Sequence, residues 1–323
     1  MKRSLAAPAG SGKPGKEMYD IIGDIHGHYD PLEALLRKLG YREQSGAWRH
    51  GERQAIFVGD LIDRGPKQVR VVETVRAMVE AGSARCILGN HEFNAVAWTL
   101  PDPDKSGEYL RAHSRGHNRA QHQAFLDQVG EGSARHAEYI HWFRSLPLWL
   151  DLGDIRVVHA CWHESSVRHL SPRMDKSNRL PEALYIEGSR RGSEAFRAIE
   201  TLCKGMEVKL PRGVSFTDKG GVVRKEARIR WWEPELLTFS QAAIGPPVEK
   251  SAGMDQPFPQ ALKPELYDGP PVFFGHYWMA GNPRVLASNA VCLDYSVANG
   301  GPLVAYRWER GEGLTSEQFV MAG

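Results

Sequence analysis

The sequence predicts an α/β fold whose parallel strands deliver polar side chains at their carboxyl ends. Short β-prone runs alternate with amphipathic helical stretches between residues 18 and 100, the rhythm of parallel strands joined by right-handed crossovers. Apolar runs repeatedly end in Asp, His or Asn: Gly23-Asp24-Ile25-His26-Gly27, Gly59-Asp60-Leu61-Ile62-Asp63-Arg64-Gly65, Gly89-Asn90-His91-Glu92, His159 and Gly275-His276. The rhythm lapses between His163 and Pro271 and returns with Val272–Phe274. That marks about 163–271 as an insertion within a domain covering residues 17–323.

Residues 1–16 start with basic residues but lack an apolar stretch, so they read as a disordered tail and not a signal peptide. Met18–Ile22 is a strand feeding Gly23. Asp30 and Pro31 open a helix as N-cap and first helical residue, Leu32, Leu35, Leu36 and Leu39 form its stripe, and Gly40 stops it. Gln54–Val58 is the second strand. Pro66 starts another helix, with Val69, Val72, Val75, Met78 and Val79 at helical spacing, ending by Gly82. Arg85–Leu88 is the third strand, and Asn90–Leu100 is helical up to Pro101.

Residues 102–144 are polar and rich in histidine (His113, His117, His122, His136, His141), helical with breaks at Gly116 and Gly130–Gly132. Arg111, Arg115 and Arg119 fall four apart, forming either a basic edge or a solvated helix face. Ile155–Val158 is a strand ending at His159. Val214–Thr217 and Val222–Trp232 read as a hairpin about Asp218-Lys219-Gly220-Gly221. Residues 245–271 hold seven prolines and read as irregular loop. Val291–Tyr295 and Leu303–Trp308 close the chain as strands.

Composition sets outer limits. The 323 residues are 41% hydrophobic and 25% charged, with mean hydropathy −0.43, net charge +2 and pI near 8.3. That balance gives no electrostatic argument for nucleic acid or a membrane surface as partner. No apolar run approaches the ~18 residues of a membrane span. Cys86, Cys161, Cys203 and Cys292 lie far apart with no CxxC spacing, which excludes a disulfide framework and points to a reducing cytoplasm.

The polar strand ends are metal-ligand chemistry. Asp24 and His26 are two apart, so both can point the same way as a strand runs out. A carboxylate beside an imidazole suits Mn²⁺, Fe or Zn²⁺ better than Ca²⁺, which takes oxygen. Asp60 has two oxygens with which to bridge two ions, Asn90 a neutral oxygen, and His159 and His276 imidazoles. Two cations ~3.5–4 Å apart clamp the oxygens of a phosphate ester and activate water between them. Arg64 adds a planar fork for phosphate oxygens. His91, beside Asn90, is placed to protonate a leaving oxygen, and Asp63 to orient it. Taken singly, each motif is equally a turn, a helix cap or a core histidine; their order and number make one site. His28 and His163 share no such support.

Together, Asp24/His26, Asp60/Asp63/Arg64, Asn90/His91/Glu92, His159 and His276 resemble the calcineurin-like metallophosphoesterases. The DRG and GNHE forms resemble the phosphoprotein-phosphatase branch, including bacterial relatives of the symmetrical diadenosine tetraphosphatases. The resemblance implies a four-layer αββα sandwich, a dinuclear centre of two divalent ions, Mn²⁺ first among them, and direct attack by a metal-bridging hydroxide without a phosphoenzyme. It also implies Asp24, His26 and Asp60 on one ion, and Asp60, Asn90, His159 and His276 on the other. His91 with Asp63 would be the acid pair, and Arg64 a phosphate ligand. A second phosphate-binding arginine is expected between the fourth and fifth ligand motifs, with Arg230 the candidate and Arg212 behind it. Two departures bear on substrate. His159-Ala160-Cys161 replaces the usual HGG, and Asp63 stands where the symmetrical dinucleotide hydrolases lack an acid. The expectation is therefore a phosphate monoester, on a protein or a small metabolite, with dinucleotide, cyclic or RNA-end phosphates as the alternative.

Overall fold

The computed structural model describes residues 17–217, 223–233, 235–244, 253–265 and 267–323. The tail 1–16 and the turn Asp218–Gly221 lie outside the described residues. Apolar residues alternate on both faces of the strands, which forces cover on both sides. The strands of the main sheets are β1 (Met18–Ile22), β2 (Gln54–Phe57), β3 (Ala84–Cys86), β4 (Trp149–Asp151), β5 (Arg156–Val158), β6 (Val272–Phe274), β7 (Ala290–Cys292), β8 (Leu303–Glu309) and β9 (Phe319–Ala322). The first sheet runs β9-β8-β1-β2-β3 and the second β7-β6-β5-β4. β1, β2 and β3 are mutually parallel, as are β5, β6 and β7, while β8, β9 and β4 pair antiparallel at the margins.

One face of each sheet meets the other in a shared core of Ile21, Ile56, Val304 and Tyr306 against Val157, Phe273 and Val291. The outer face of the first sheet (Ile22, Ala55, Phe57) takes helices α1 (Tyr29–Leu39) and α2 (Gln68–Glu80). Leu32, Leu35, Leu36 and Leu39 of α1 are at most 1% exposed, each worth about 1.5–3 kcal/mol by burial. Gly40 ends α1 at φ 96°, the left-handed value glycine accepts freely. The outer face of the second sheet (Val158, Val272, Phe274) shares a cluster with Leu170, Ala195, Ile199 and Leu202 of the helices after His163, and with Trp231 and Trp232, whose rings lie 5.1 and 5.2 Å from that of Phe274. The layers are those of the expected αββα sandwich.

Between the sheets in sequence come α3 (Asn90–Thr99), α4 (Gly116–Val129) and α5 (Ala134–Phe143). The stretch after His163 holds α6 (Glu164–Leu170), α7 (Glu182–Gly188) and α8 (Glu194–Lys204), three helices that the lapse in rhythm does not announce. Small antiparallel pairs follow, Glu207–Lys209 with Glu226–Arg228 and Phe216–Thr217 with Val223–Arg224, and then α9 (Phe239–Ala242). They share an apolar cluster of their own around Val208, Ile229, Phe239 and Phe258.

Some boundaries differ from expectation. Asp30 is not the N-cap: α1 begins at Tyr29 after His28, and the Asp30 carboxylate instead takes Lys67 Nζ at 2.6 Å. Pro66 precedes α2 without opening it, because Lys67 N–H is drawn to Gly27 O (2.9 Å) and the helix waits until Gln68. The third strand stops at Cys86 and the one before Asp294 at Cys292, since the chain there leaves the sheet to form the loops of the site.

Candidate metal centre

Every expected metal ligand follows the carboxyl end of a parallel strand: Asp24 and His26 after β1, Asp60 after β2, Asn90 after β3, His159 after β5 and His276 after β6. Because both sheets contribute, the loops meet above the sandwich. They are stitched by backbone bonds: Ile25 and His26 N–H donate to Asp60 O (3.1 and 2.9 Å), and Gly275 N–H to His159 O (2.9 Å). The loops approach so closely that a Cβ on Gly89 would lie 2.3 Å from Asp60 Oδ1, and one on Gly275 1.9 Å from Asp24 Oδ1. The glycine before the polar residue is thus a packing requirement.

Asp60 is the centre. Its Oδ2 lies 3.3 Å from His159 Nε2, 3.6 Å from His26 Nε2 and 3.8 Å from His91 Nε2, while Oδ1 accepts His91 N–H at 3.0 Å. Potential ligand atoms of His26, Asp60 and His91, and of Asp60, His159 and His276, lie within 4.8 Å of one another in two groups that share Asp60. Asp24 belongs to neither group; it accepts His276 N–H through Oδ2 at 3.1 Å, and the charges of His159 and Asp60 bear on it. Asp24, His26, Asp60, Asn90, His159 and His276 are all brought together, each at most 7% exposed.

The donor set fits divalent cations. His26 Nδ1 is 2.9 Å from Ile62 O and His159 Nδ1 is 2.7 Å from Val58 O, so each donates there and turns an Nε2 lone pair inward. The Nε2 atoms of His26 and His276 are buried without a hydrogen-bond partner. One end of the Asn90 amide sits 3.1 Å from His159 Nε2, 2.8 Å from His276 Nδ1 and 3.3 Å from Asp60 Oδ2. With oxygen at that end, lone pairs converge from all sides, which a cation neutralises. The carboxylates are crowded as well: burial first, then Asp294, pushes Asp24 well above the usual carboxylate range. Burial, with help from His91, pushes His26 down to about 3. Burial would also lower His159, but Asp60 overrides it and pushes it up to about 10.

Outward from this cluster stand His91 and Asp63, the pair expected to act as acid. His91 Nδ1 is 2.5 Å from Asp63 Oδ2. Burial works to lower His91, and the Asp60 and Asp63 carboxylates together outweigh it, raising its pKa above the ordinary 6.5. Arg64 is exposed and lays its guanidinium over the Trp278 ring at 4.4 Å. A cleft of about 470 Å³ opens here, lined by Arg64, His91 and the α4 residues Ala120, Gln121, Gln123, Ala124 and Asp127. His26, Asp60, Asp63, Arg64, His276 and Trp278 all have left-handed backbones, with φ from 47° to 73°, each costing about 1–3 kcal/mol.

Arg230, expected as a second phosphate ligand, is held at α9. Its Nη1 donates to Gln241 O at 2.5 Å at the end of α9, and the arginine whose charge bears on His276 is Arg228. Arg212 is exposed. His163 serves as a cap, its side chain accepting Ser166 N–H at the start of α6. Arg111, Arg115 and Arg119 form no common edge, since Arg111 turns to Gln121 and Arg119 to Glu131 and the face of Trp98.

Three contributors have no role assigned by the sequence reading, Glu92 among them although it belongs to the GNHE form. Glu92 accepts N–H groups from Asp60 (2.9 Å), Leu61 (2.8 Å) and Gly89 (3.0 Å). Asp294 accepts from Trp278 (2.8 Å) and Ser296 (2.9 Å). It stands two residues past β7, as Asp24 does past β1, so the same signature marks it. His122 Nδ1 lies 2.7 Å from Asp63 Oδ1, and nothing in the sequence separates it from its four neighbouring histidines.

A family profile described as calcineurin-like phosphoesterase matches residues 19–188. The asymmetrical bis(5'-nucleosyl)-tetraphosphatase PrpE of Oceanobacillus iheyensis is 33% identical over 158 residues, which is 49% of this chain and 60% of that protein. Its Bacillus subtilis namesake is 50% identical over 147 residues, 44% of this chain and 57% of its own length. The chain thus spans little more than half of these relatives. The symmetrical bis(5'-nucleosyl)-tetraphosphatase of Vibrio cholerae is 27% identical over 295 residues, 90% of this chain and 94% of that protein. With the profile covering more than half of its length, the chain belongs to the calcineurin-like phosphoesterase family.

Proposed function

We propose that this chain is a metal-dependent phosphoesterase that hydrolyses a phosphate monoester, on a protein or a small metabolite. The observation that carries the reading is the meeting of His26, His91 and His159 Nε2 within 3.3 to 3.8 Å of one Asp60 oxygen. Asp24, His26 and Asp60 would hold one divalent cation, and Asp60, Asn90, His159 and His276 a second. The mixed carboxylate and imidazole donors suit Mn²⁺, with Fe or Zn²⁺ as alternatives. When bound, such a pair of cations activates water and offsets charge on the phosphoryl oxygens.

The remaining steps belong to the protein. Arg64, steadied on Trp278, grips phosphate oxygens by its fork. Arg228 is better placed than Arg230 to add positive charge on the His276 side. In this reading His91 is a neighbour of the cations and not a ligand, because its Nε2 keeps a proton for the leaving oxygen. Its Nδ1 proton is held by Asp63, which leaves the Nε2 proton for the leaving oxygen. An alkoxide leaving from a monoester needs that proton, whereas a phosphate leaving from an anhydride departs without one. The acid pair therefore favours the monoester.

A second reading, hydrolysis of a dinucleoside polyphosphate, is favoured by the names of the relatives. Rates with Mn²⁺ on a phosphopeptide, an alkyl and an aryl monophosphate, an aryl phosphodiester, diadenosine tetraphosphate and a 2′,3′-cyclic nucleotide decide between them. Monoesters are expected to be fastest. Turnover of diadenosine tetraphosphate with inert monoesters would move the assignment to the second reading. The cysteines Cys86, Cys161, Cys203 and Cys292 are all buried and unpaired, which supports a cytoplasmic setting. No helix among the described residues is long and apolar enough to cross a membrane.

A further inference from the structure

Asp63 is gripped by two imidazoles, and only one of them lines the cleft. His91 takes Oδ2 at 2.5 Å, and His122 takes Oδ1 at 2.7 Å. A carboxylate only accepts, so His122 Nδ1 carries the proton of this bond. We infer that His122 is a positioning residue for the proton-donating pair, fixing the Asp63 carboxylate so that its other oxygen holds His91 in register with the leaving group. The inference rests on the reading of His91 as the acid.

His122 packs in the core beside Trp98, 5.8 Å between ring centroids, and its one side-chain hydrogen bond among the described residues is to Asp63. It is 2% exposed, its ring stacks on Phe125 at 5.0 Å, and its Nε2 is buried without a partner. Asp63 is 2% exposed as well, so without His122 its Oδ1 would lose the hydrogen bond that now holds it. The carboxylate would then be free to turn away from His91. The backbone needs the same help: Asp63 and Arg64 are consecutive left-handed residues at φ 71° and 73°, a conformation that persists only when neighbours enforce it.

Helix α4 is that neighbour. Besides His122, it supplies Gln128, whose Oε1 accepts Gln68 N–H (2.7 Å) and whose Nε2 donates to Pro66 O (2.8 Å). Gln68 in turn accepts Asp63 N–H (2.7 Å) and donates to Gly65 O (2.6 Å). His122 and Gln128 thus brace one loop from two points, six residues apart on one helix. The same helix walls the cleft with Ala120, Gln121, Gln123 and Ala124, so one rigid element sets both where substrate lies and where the acid points.

His122→Phe keeps the ring and removes the donor, while His122→Asn restores a nitrogen near the place of Nδ1. On an alkyl phosphate, whose leaving group needs a proton, His122→Phe should lower kcat roughly 10-fold, part of the ~10²–10⁴ a positioned acid contributes. KM should be unchanged, p-nitrophenyl phosphate should be hydrolysed at the wild-type rate, and His122→Asn should recover most of the loss. The His91 Nδ1 proton resonance should move in His122→Phe and return in His122→Asn, a readout independent of turnover. Equal losses on both substrates, no loss on either, or an unmoved resonance would overturn the inference. If the resonance behaves as expected but wild-type protein hydrolyses neither ester, the phosphoesterase reading fails while the positioning of His91 by His122 stands.

Discussion

Replacing Glu92 tests whether the site is held by a buried carboxylate beneath it. Glu92 is fully buried, and its two oxygens collect three N–H groups from the Asp60 and Gly89 loops. Glu92→Ala strips the acceptor from all three. At about 1–3 kcal/mol for each of three unsatisfied donors, taken at the low end because water can enter the space left behind, the loss is about 3 kcal/mol. A typical domain has only ~5–15 kcal/mol to lose. Glu92→Gln keeps an oxygen for two of the donors but sets an amide nitrogen against Leu61 N–H, so its cost is that of one donor, about 1–3 kcal/mol. Urea unfolding followed by tryptophan fluorescence should order the midpoints wild type, Gln, Ala. With a slope near ~3 kcal/mol/M, the alanine variant should shift by about 1 M. Its kcat should fall too, because Asp60 and Asn90 lose their common floor. An alanine variant that unfolds at the wild-type midpoint with full activity would refute the reasoning.

Two other outcomes follow from the geometry. Asp60→Asn should lose both metal ions together, because the groups of potential ligands share only Asp60; elemental analysis finding two ions retained would remove its bridging role. His91 must hold its proton to act as acid, and its pKa is raised above 6.5. Turnover of an alkyl monoester should therefore hold as pH rises past the ordinary imidazole value and then fall on the alkaline side. Asp63→Asn, which removes one of the carboxylates that raise it, should move that fall to lower pH. A pH–rate profile unaltered by Asp63→Asn would reassign the acid.

The cluster of potential metal ligands is legible because its chemistry sits where strands end, and strand ends can be read locally from apolar runs stopped by glycine. Asp24, Asp60, Asn90, His159 and His276 come from both sheets, yet each announces itself within a few residues. What lay hidden depends on distance along the chain. His122 is 59 residues from Asp63 and Glu92 is 32 from Asp60, and no local pattern couples them. Arg230 differs from expectation for another reason. Arg228 and Arg230 share a face only if the strand continues, but it stops at Arg228, and Ile229 bridges to Ala243. The turn hands Arg230 to the carbonyls of α9 and leaves Arg228 on the side of His276.

The run of left-handed backbone at His26, Asp60, Asp63, Arg64, His276 and Trp278 has a bearing on how this protein can change. Each of these positions would sit more easily as glycine, by about 1–2 kcal/mol of relieved conformation, and each carries a side chain that the proposed chemistry uses, Trp278 through its contact with Arg64. A library screened only for survival on heating would therefore drift toward glycine at these turns and collect sturdier, inert proteins. Engineering that seeks both hardiness and turnover has to look elsewhere, in the helices and outer sheet faces, where no reacting group depends on an uncomfortable backbone.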